Sequence, residues 1–210
     1  MNDGLIIFLH GVGSSGAAFD PLITHWRRTM PGLSFAAPDA PFPFDMDPAA
    51  AGSGARQWFS IRDVTEGNRA ERTRAARAAL DDVLKDCLER EGFTGREDRV
   101  VLAGFSQGAI MALDVVMSGR WSFAGVVAFS GRLVPAEGGT PATGTPVLLL
   151  HGDADPVMPV QEAPRARTAL EAACVPVRLA VLPGLGHSLS TEGAEIAGTF
   201  IRSLLVSAPG

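Results

Sequence analysis

Positive charge is scarce in this chain. Eighteen lysines and arginines stand against 23 aspartates and glutamates over 210 residues, for a formal net charge of −5. No basic run or stripe interrupts that balance, so nucleic acid is not an expected partner. Long apolar stretches are missing too. None approaches the roughly 20 residues that span a bilayer, so no membrane insertion is expected. The start, Met1-Asn2-Asp3-Gly4, has neither the basic region nor the cleavage site of a secretory signal. The expectation is a soluble cytoplasmic protein. Only two cysteines occur, Cys87 and Cys174. Both fall on predicted helices and are expected as buried free thiols, not as a disulfide. No Cys or His pair sits one helical turn apart, so no metal site is expected.

What is present is a core. Apolar residues make up 46% of the chain, enough for one domain with a sizeable interior over residues 1–210. Short continuous apolar runs recur: Leu5–Leu9, Leu33–Ala37, Val100–Leu102, Gly125–Phe129, Val147–Leu150 and Val177–Leu182. Each is too short for a helix and reads as a buried strand. Helical periods lie between them. Phe19, Leu22, Ile23 and Trp26 mark one face, and a long amphipathic helix is predicted from Glu66 to a stop at Gly92. Its many arginines are expected to form a solvated face. A further helix is predicted over Gln161–Cys174, and a closing one carries Ile196, Phe200, Ile201, Leu204 and Leu205. Strands alternating with helices predict an α/β fold, a mostly parallel central sheet covered on both faces.

The stretch around Gly104-Phe105-Ser106-Gln107-Gly108 carries the chemistry. A strand precedes it. A helical period through Ile110, Leu113, Val116 and Met117 follows, with Gly119 as its stop. That is the context in which G-x-S-x-G places a serine on a sharp strand-to-helix turn. Other predicted strands also end in reactive or glycine-rich loops. The first runs into His10-Gly11-Val12-Gly13-Ser14-Ser15-Gly16, a later one into His151-Gly152-Asp153-Ala154-Asp155-Pro156, and the last into Pro183-Gly184-Leu185-Gly186-His187. A serine hydroxyl needs a base within reach, histidine titrates in the right range, and a carboxylate holds its tautomer. The chain order Ser, Asp, His therefore predicts a triad of Ser106, His187 and an aspartate. Pro156 restrains Asp155, whereas Asp153 follows Gly152 where a side chain suits a turn cap. The N–H of Gln107, next after the serine, is the expected oxyanion donor, with a second donor from the first glycine loop. His10 and His151 are expected to bond nearby backbone, and His25 to lie on a helix surface.

Residues Pro38–Asp63 show no clear period but hold Phe42, Phe44, Met46, Trp58 and Phe59. Long irregular segments in compact domains are usually functional, so Phe42 and Trp58 are expected to wall the substrate pocket. Residues Pro135–Thr145, rich in Gly, Pro and Thr, read as an exposed connection.

With these motifs in hand, the chain resembles the phospholipase/carboxylesterase family of α/β-hydrolases, which includes the acyl-protein thioesterases. The resemblance rests on Phe8-Leu9-His10-Gly11-Val12-Gly13, Gln57-Trp58-Phe59, the Ser106 pentapeptide, His151 through Pro159, and Gly184-Leu185-Gly186-His187. It implies a single-domain α/β-hydrolase fold, Asp155 as the acid, and the Val12 N–H as the second oxyanion donor. It also implies a serine carboxylesterase acting on small or short-chain acyl esters through an acyl-enzyme. No cofactor is implied, the partner is a small-molecule ester, and members are often homodimers. Acyl thioesterase or lysophospholipase activity is the alternative, and would need a long apolar channel. Ser14 and Ser60 stand where many relatives carry an acidic residue. A non-catalytic binding protein on this fold is the contrasting class, and such proteins typically lose a triad member.

Overall fold

The computed structural model describes residues 3–46, 54–135 and 138–206. Met1 and Asn2, residues 47–53 of the irregular segment and residues 136–137 of the Pro/Gly connection lie outside them. Six strands form one sheet: β1 (Gly4–Leu9), β2 (Leu33–Ala36), β5 (Val100–Phe105), β6 (Gly125–Phe129), β7 (Val147–Gly152) and β8 (Val177–Leu182). Their order is β2-β1-β5-β6-β7-β8 and every pairing is parallel. All the carboxyl ends therefore open at one edge.

The sheet is parallel because helices cover both faces. Successive side chains of a strand point opposite ways. Leu5, Ile7 and Leu9 face a layer with α3 (Arg77–Glu91), α4 (Gln107–Ser118) and α5 (Glu162–Ala172). Ile6 and Phe8 face α1 (Asp20–Thr29) and α6 (Thr191–Leu205), through Trp26 and Ile201 among others. Each fully buried Leu or Ile contributes about 1.5–3 kcal/mol. β8 is an edge strand and only Leu182 in it is fully covered, so the expectation of full burial fails there.

Three further expectations need correction. The long helix from Glu66 is two helices, α2 (Glu66–Ala75) and α3, offset at Ala76. The Ala76 N–H is shared between the carbonyls of Arg72 and Thr73, each at 3.2 Å. No Pro or Gly marks the offset. Nor is the arginine face wholly solvated. Arg77, first past the offset, turns inward and grips the buried carboxylate of Asp114 on α4 through two hydrogen bonds of 2.7 and 2.9 Å. Third, Cys174 follows α5, is exposed and has φ +58°, while Cys87 is buried as expected. Both are free thiols.

The irregular segment contains a small antiparallel ribbon, β3 (Phe42–Pro43) with β4 (Arg56–Gln57). Arg56 and Ser14 bridge across it, which ties the ribbon to the loop after β1. Among the described residues, no helix is long and apolar enough to cross a membrane.

One glycine sets how closely the layers meet. A Cβ on Gly108 would fall 1.9 Å from the Leu9 carbonyl oxygen, so α4 lies against the end of β1. Gly108→Ala should therefore cost about 3 kcal/mol or more in urea unfolding, because backbone must move. Gly67→Ala, on exposed α2 with only Thr65 Oγ1 at 3.8 Å, should instead raise stability by about 0.5–1 kcal/mol.

Candidate active site

Ser106 sits between β5 and α4 with φ +53° and ψ −113°, a conformation that side chains with a Cβ rarely adopt. Two backbone bonds hold it. Its N–H donates to Phe129 O at 3.0 Å and its carbonyl accepts from the Ile110 N–H at 3.1 Å. The turn pushes the hydroxyl up beyond the sheet edge, where it is 8% exposed.

His187 comes from the loop after β8. Its Nε2 lies 3.0 Å from Ser106 Oγ, and its Nδ1 lies 2.7 Å from Asp155 Oδ2. An ionised carboxylate only accepts, so Nδ1 carries the proton and Nε2 presents a lone pair to the hydroxyl. The imidazole also leans on the Phe105 ring, 4.8 Å between centroids.

Asp155 comes from the loop after β7. Burial alone would raise its pKa. The Met158 N–H, the His187 imidazole and the Val157 N–H together outweigh burial and hold the carboxyl below its ordinary value. Asp153 lies elsewhere. Its Oδ1 accepts from the Gly184 N–H at 2.6 Å, so it ties the Asp155 loop to the His187 loop across 31 residues, where a cap on its own turn was expected. Gly152 lets these loops touch, since a Cβ there would meet Leu185 O at 2.0 Å.

Of the two expected oxyanion donors, one borders the cavity and the other directly follows the serine. Val12 lines the Ser106 cavity, and Gln107 is the first residue of α4, where an N–H has no acceptor within the helix. Among the described residues neither N–H has a backbone partner outside regular elements. The Gln107 side chain does separate work. Its Oε1 accepts from the Trp58 N–H at 2.8 Å, and its Nε2 donates to Phe59 O at 2.7 Å.

His10 and His151 do bond nearby backbone. His10 Nδ1–H donates to Gly11 O at 2.7 Å and its Nε2 accepts from the Ala40 N–H at 2.9 Å. Burial, the largest influence, lowers its pKa below the ordinary histidine value. His151 Nε2–H donates to Met158 O at 2.7 Å.

Phe42 and Trp58 are not part of this cavity. Trp58 is 1% exposed and its indole N–H is engaged by His10 O at 2.9 Å. With Phe42 it borders a different groove, of about 520 Å³, between the ribbon and α2. The reason is the ribbon: β3–β4 pairing turns these aromatics away from Ser106. The walls over Ser106 are Val12, Ala18, Phe19, Phe105, Val157 and Leu189, around a cavity of about 510 Å³. Of these, only Val12 has a site role legible in the sequence. Val157 and Leu189 lie within two residues of Asp155 and His187, and that proximity was the available signal.

Because the folded Asp155 carboxyl is held below its ordinary value of 3.8, its ionised form contributes stability that is complete above that value. The contribution disappears as pH falls through the lowered one. The urea midpoint of the wild type should exceed that of Asp155→Asn at neutral pH, and the gap should narrow below about pH 4. Urea melts from neutral to acid pH would show it.

Residues 2–205 match the profile of a family described as Phospholipase/Carboxylesterase. Esterase YpfH of Escherichia coli is 28% identical over 198 residues, covering 94% of this chain and 82% of its own. Acyl-protein thioesterase 1 of Neurospora crassa is 28% identical over 213 residues, covering 95% and 86%. Among solved structures, esterase PE8 aligns with a TM-score of 0.83 at 31% identity, over 97% of this chain and 94% of its own. SOBER1 of Arabidopsis thaliana aligns with a TM-score of 0.80 at 25% identity, over 96% and 99%.

Proposed function

Since this chain belongs to the phospholipase/carboxylesterase family of α/β-hydrolases, we propose that it is a serine carboxylesterase acting on compact, uncharged acyl esters. The observation that carries the reading is the unbroken hydrogen-bonded line from Ser106 Oγ through His187 to Asp155, at 3.0 and 2.7 Å. Ser106 Oγ attacks the ester carbonyl carbon as His187 Nε2 takes its proton. The negative charge that develops on the carbonyl oxygen is met by the Val12 and Gln107 N–H groups. The tetrahedral intermediate collapses, the carbon–oxygen bond to the alcohol breaks, and Nε2 returns the proton to the leaving oxygen. Water then repeats the sequence on the acyl-enzyme and frees Ser106. Asp155 keeps the proton on Nδ1 and stabilises the imidazolium.

Among the described residues, the cavity walls hold no Lys, Arg, Asp or Glu. A charged substrate arm would lose hydration there without a partner. That weighs against a lysophospholipid, whose phosphate would need a cation. Acyl thioesters are the second reading, supported by the relatives named acyl-protein thioesterase. A thioester presents the same carbonyl to Ser106 with a better leaving group.

Ser106→Ala should lower kcat by about a millionfold, and a fluorophosphonate should label the wild type at Ser106 and nowhere else. Full activity in that variant would refute the reading. Asp155→Asn should cost about four orders of magnitude in kcat, whereas Asp153→Asn should cost less than about tenfold. Steady-state kinetics on a nitrophenyl ester compares the three. A carboxylate added to the acyl chain of such an ester should lower kcat/KM by about tenfold or more, by the desolvation argument.

A further inference from the structure

The cavity over Ser106 has a neighbour beyond its far wall. Ala18 and Leu189 line it, and the same two residues line a second hollow of about 340 Å³ between the starts of α1 and α6. Ala18 is an exposed residue of the 3-10 turn Gly16–Phe19, so the saddle on that side is only one methyl group high. Leu22 and Ala194, both buried, form the floor of the second hollow, and His25 and Thr191 stand among its walls. Among the described residues, neither hollow is lined by a carboxylate or a guanidinium.

We propose that the second hollow is the subsite for the leaving-group arm of the ester, and that it favours unbranched apolar alcohols several carbons long. The proposal rests on the esterase reading above. The position of the proton decides which arm lies there. The leaving oxygen must come within hydrogen-bond reach of His187 Nε2, which protonates it. The residues directly after His187, Ser188 and Leu189, form the cavity wall that leads to the saddle. The carbonyl oxygen is committed to the Val12 and Gln107 N–H groups, so an alcohol leaving beside Nε2 runs along Leu189 towards Ala18 and over it. A chain crossing there meets Leu22 and Ala194 and buries methylenes against them.

Two measurements on the intact protein test this. In the first, hydrolysis of methyl, butyl and hexyl acetate is followed by pH-stat. The wild-type kcat/KM should rise with alcohol length, by about threefold per buried methylene over the first few carbons. Thr191→Trp would crowd the hollow from its edge, and Ala18→Leu would raise the saddle. Each should lower the hexyl-to-methyl ratio of kcat/KM by about tenfold. Lengthening the acyl side from acetate to hexanoate, with methyl as the leaving group, should show no matching loss in Thr191→Trp, whose position borders the second hollow alone.

In the second, 1-hexanol alone is titrated into 15N-labelled protein. The amide signals of Leu22, His25, Thr191 and Ala194 should move in the wild type, and those of Leu22, His25 and Ala194 should stay still in Thr191→Trp. This arm needs no turnover. A protein that cleaves no ester yet binds hexanol at these residues refutes the esterase reading and leaves the hollow as an alcohol site. An unchanged hexyl-to-methyl ratio in both variants overturns the proposal. So does a loss that follows the acyl side, or hexanol shifts that avoid these four residues.

Discussion

The contact between Gly108 and the carbonyl of Leu9 is the constraint on which the rest of the site depends. No Cβ fits there, so α4 starts directly against the end of β1. Parallel pairing of β1 with β5, Leu9 opposite Gly104, brings both strand ends to the same height. The turn at Ser106 and the loop of Gly11 and Val12 therefore face one another across a few ångströms of backbone. Functional groups collect at carboxyl ends of parallel strands for this reason. The cost falls on Ser106, whose positive φ is worth about 1–3 kcal/mol of strain. Hydrogen bonds to Phe129 and Ile110 on either side prevent the turn from relaxing.

A second set of constraints holds one carboxylate still. Asp155 Oδ1 takes two backbone N–H groups, at 2.8 and 2.9 Å, and Oδ2 takes the imidazole. His151 acts one step further out. By donating to Met158 O it fixes the peptide segment that supplies those N–H groups, and its ring lies 3.7 Å from Oδ2. Asp153 secures the partner loop through Gly184. Loops are usually the mobile part of such a fold. Here both are hydrogen-bonded to each other and to β7 and β8, which suits an arrangement that works only within about 0.5 Å of its productive geometry.

The ribbon does for the first loop what Asp153 does for the last. Gly13 N–H donates to Arg56 O, and Arg56 N–H donates to Ser14 O. The Arg56 guanidinium reaches the carbonyls of Ala40 and Pro41. Trp58, whose indole is bonded to His10, and Gln107, clamped onto Trp58 and Phe59, close the same unit. Phe42 and Trp58 of this segment border a separate groove, and the cavity over Ser106 is walled instead by Val12, Ala18, Phe19, Phe105, Val157 and Leu189.

Local pattern alone determined a good deal of this protein. Short apolar runs separated by helical periods specify a parallel sheet, because only strands buried on both faces read that way. Glycines at 92 and 119 stop helices at αL caps, a purely local matter of φ. The pentapeptide at Ser106 and the order of aspartate and histidine behind it were legible because each lies immediately after a strand. What the local pattern did not contain are contacts between segments distant in the chain. The offset at Ala76 has no Pro or Gly to announce it and coincides with Arg77 reaching Asp114, 37 residues away. Asp153 looked like a turn cap because its partner, Gly184, is set by the pairing of β7 with β8. Phe42 and Trp58 are apolar and lie in an irregular stretch whether they face a substrate or a tryptophan-lined groove. Only the pairing of β3 with β4, and the hydrogen bond from Trp58 to His10, decide which. Tertiary structure settled those points because a side chain's direction follows from what its segment packs against, and that packing partner is chosen by the whole fold.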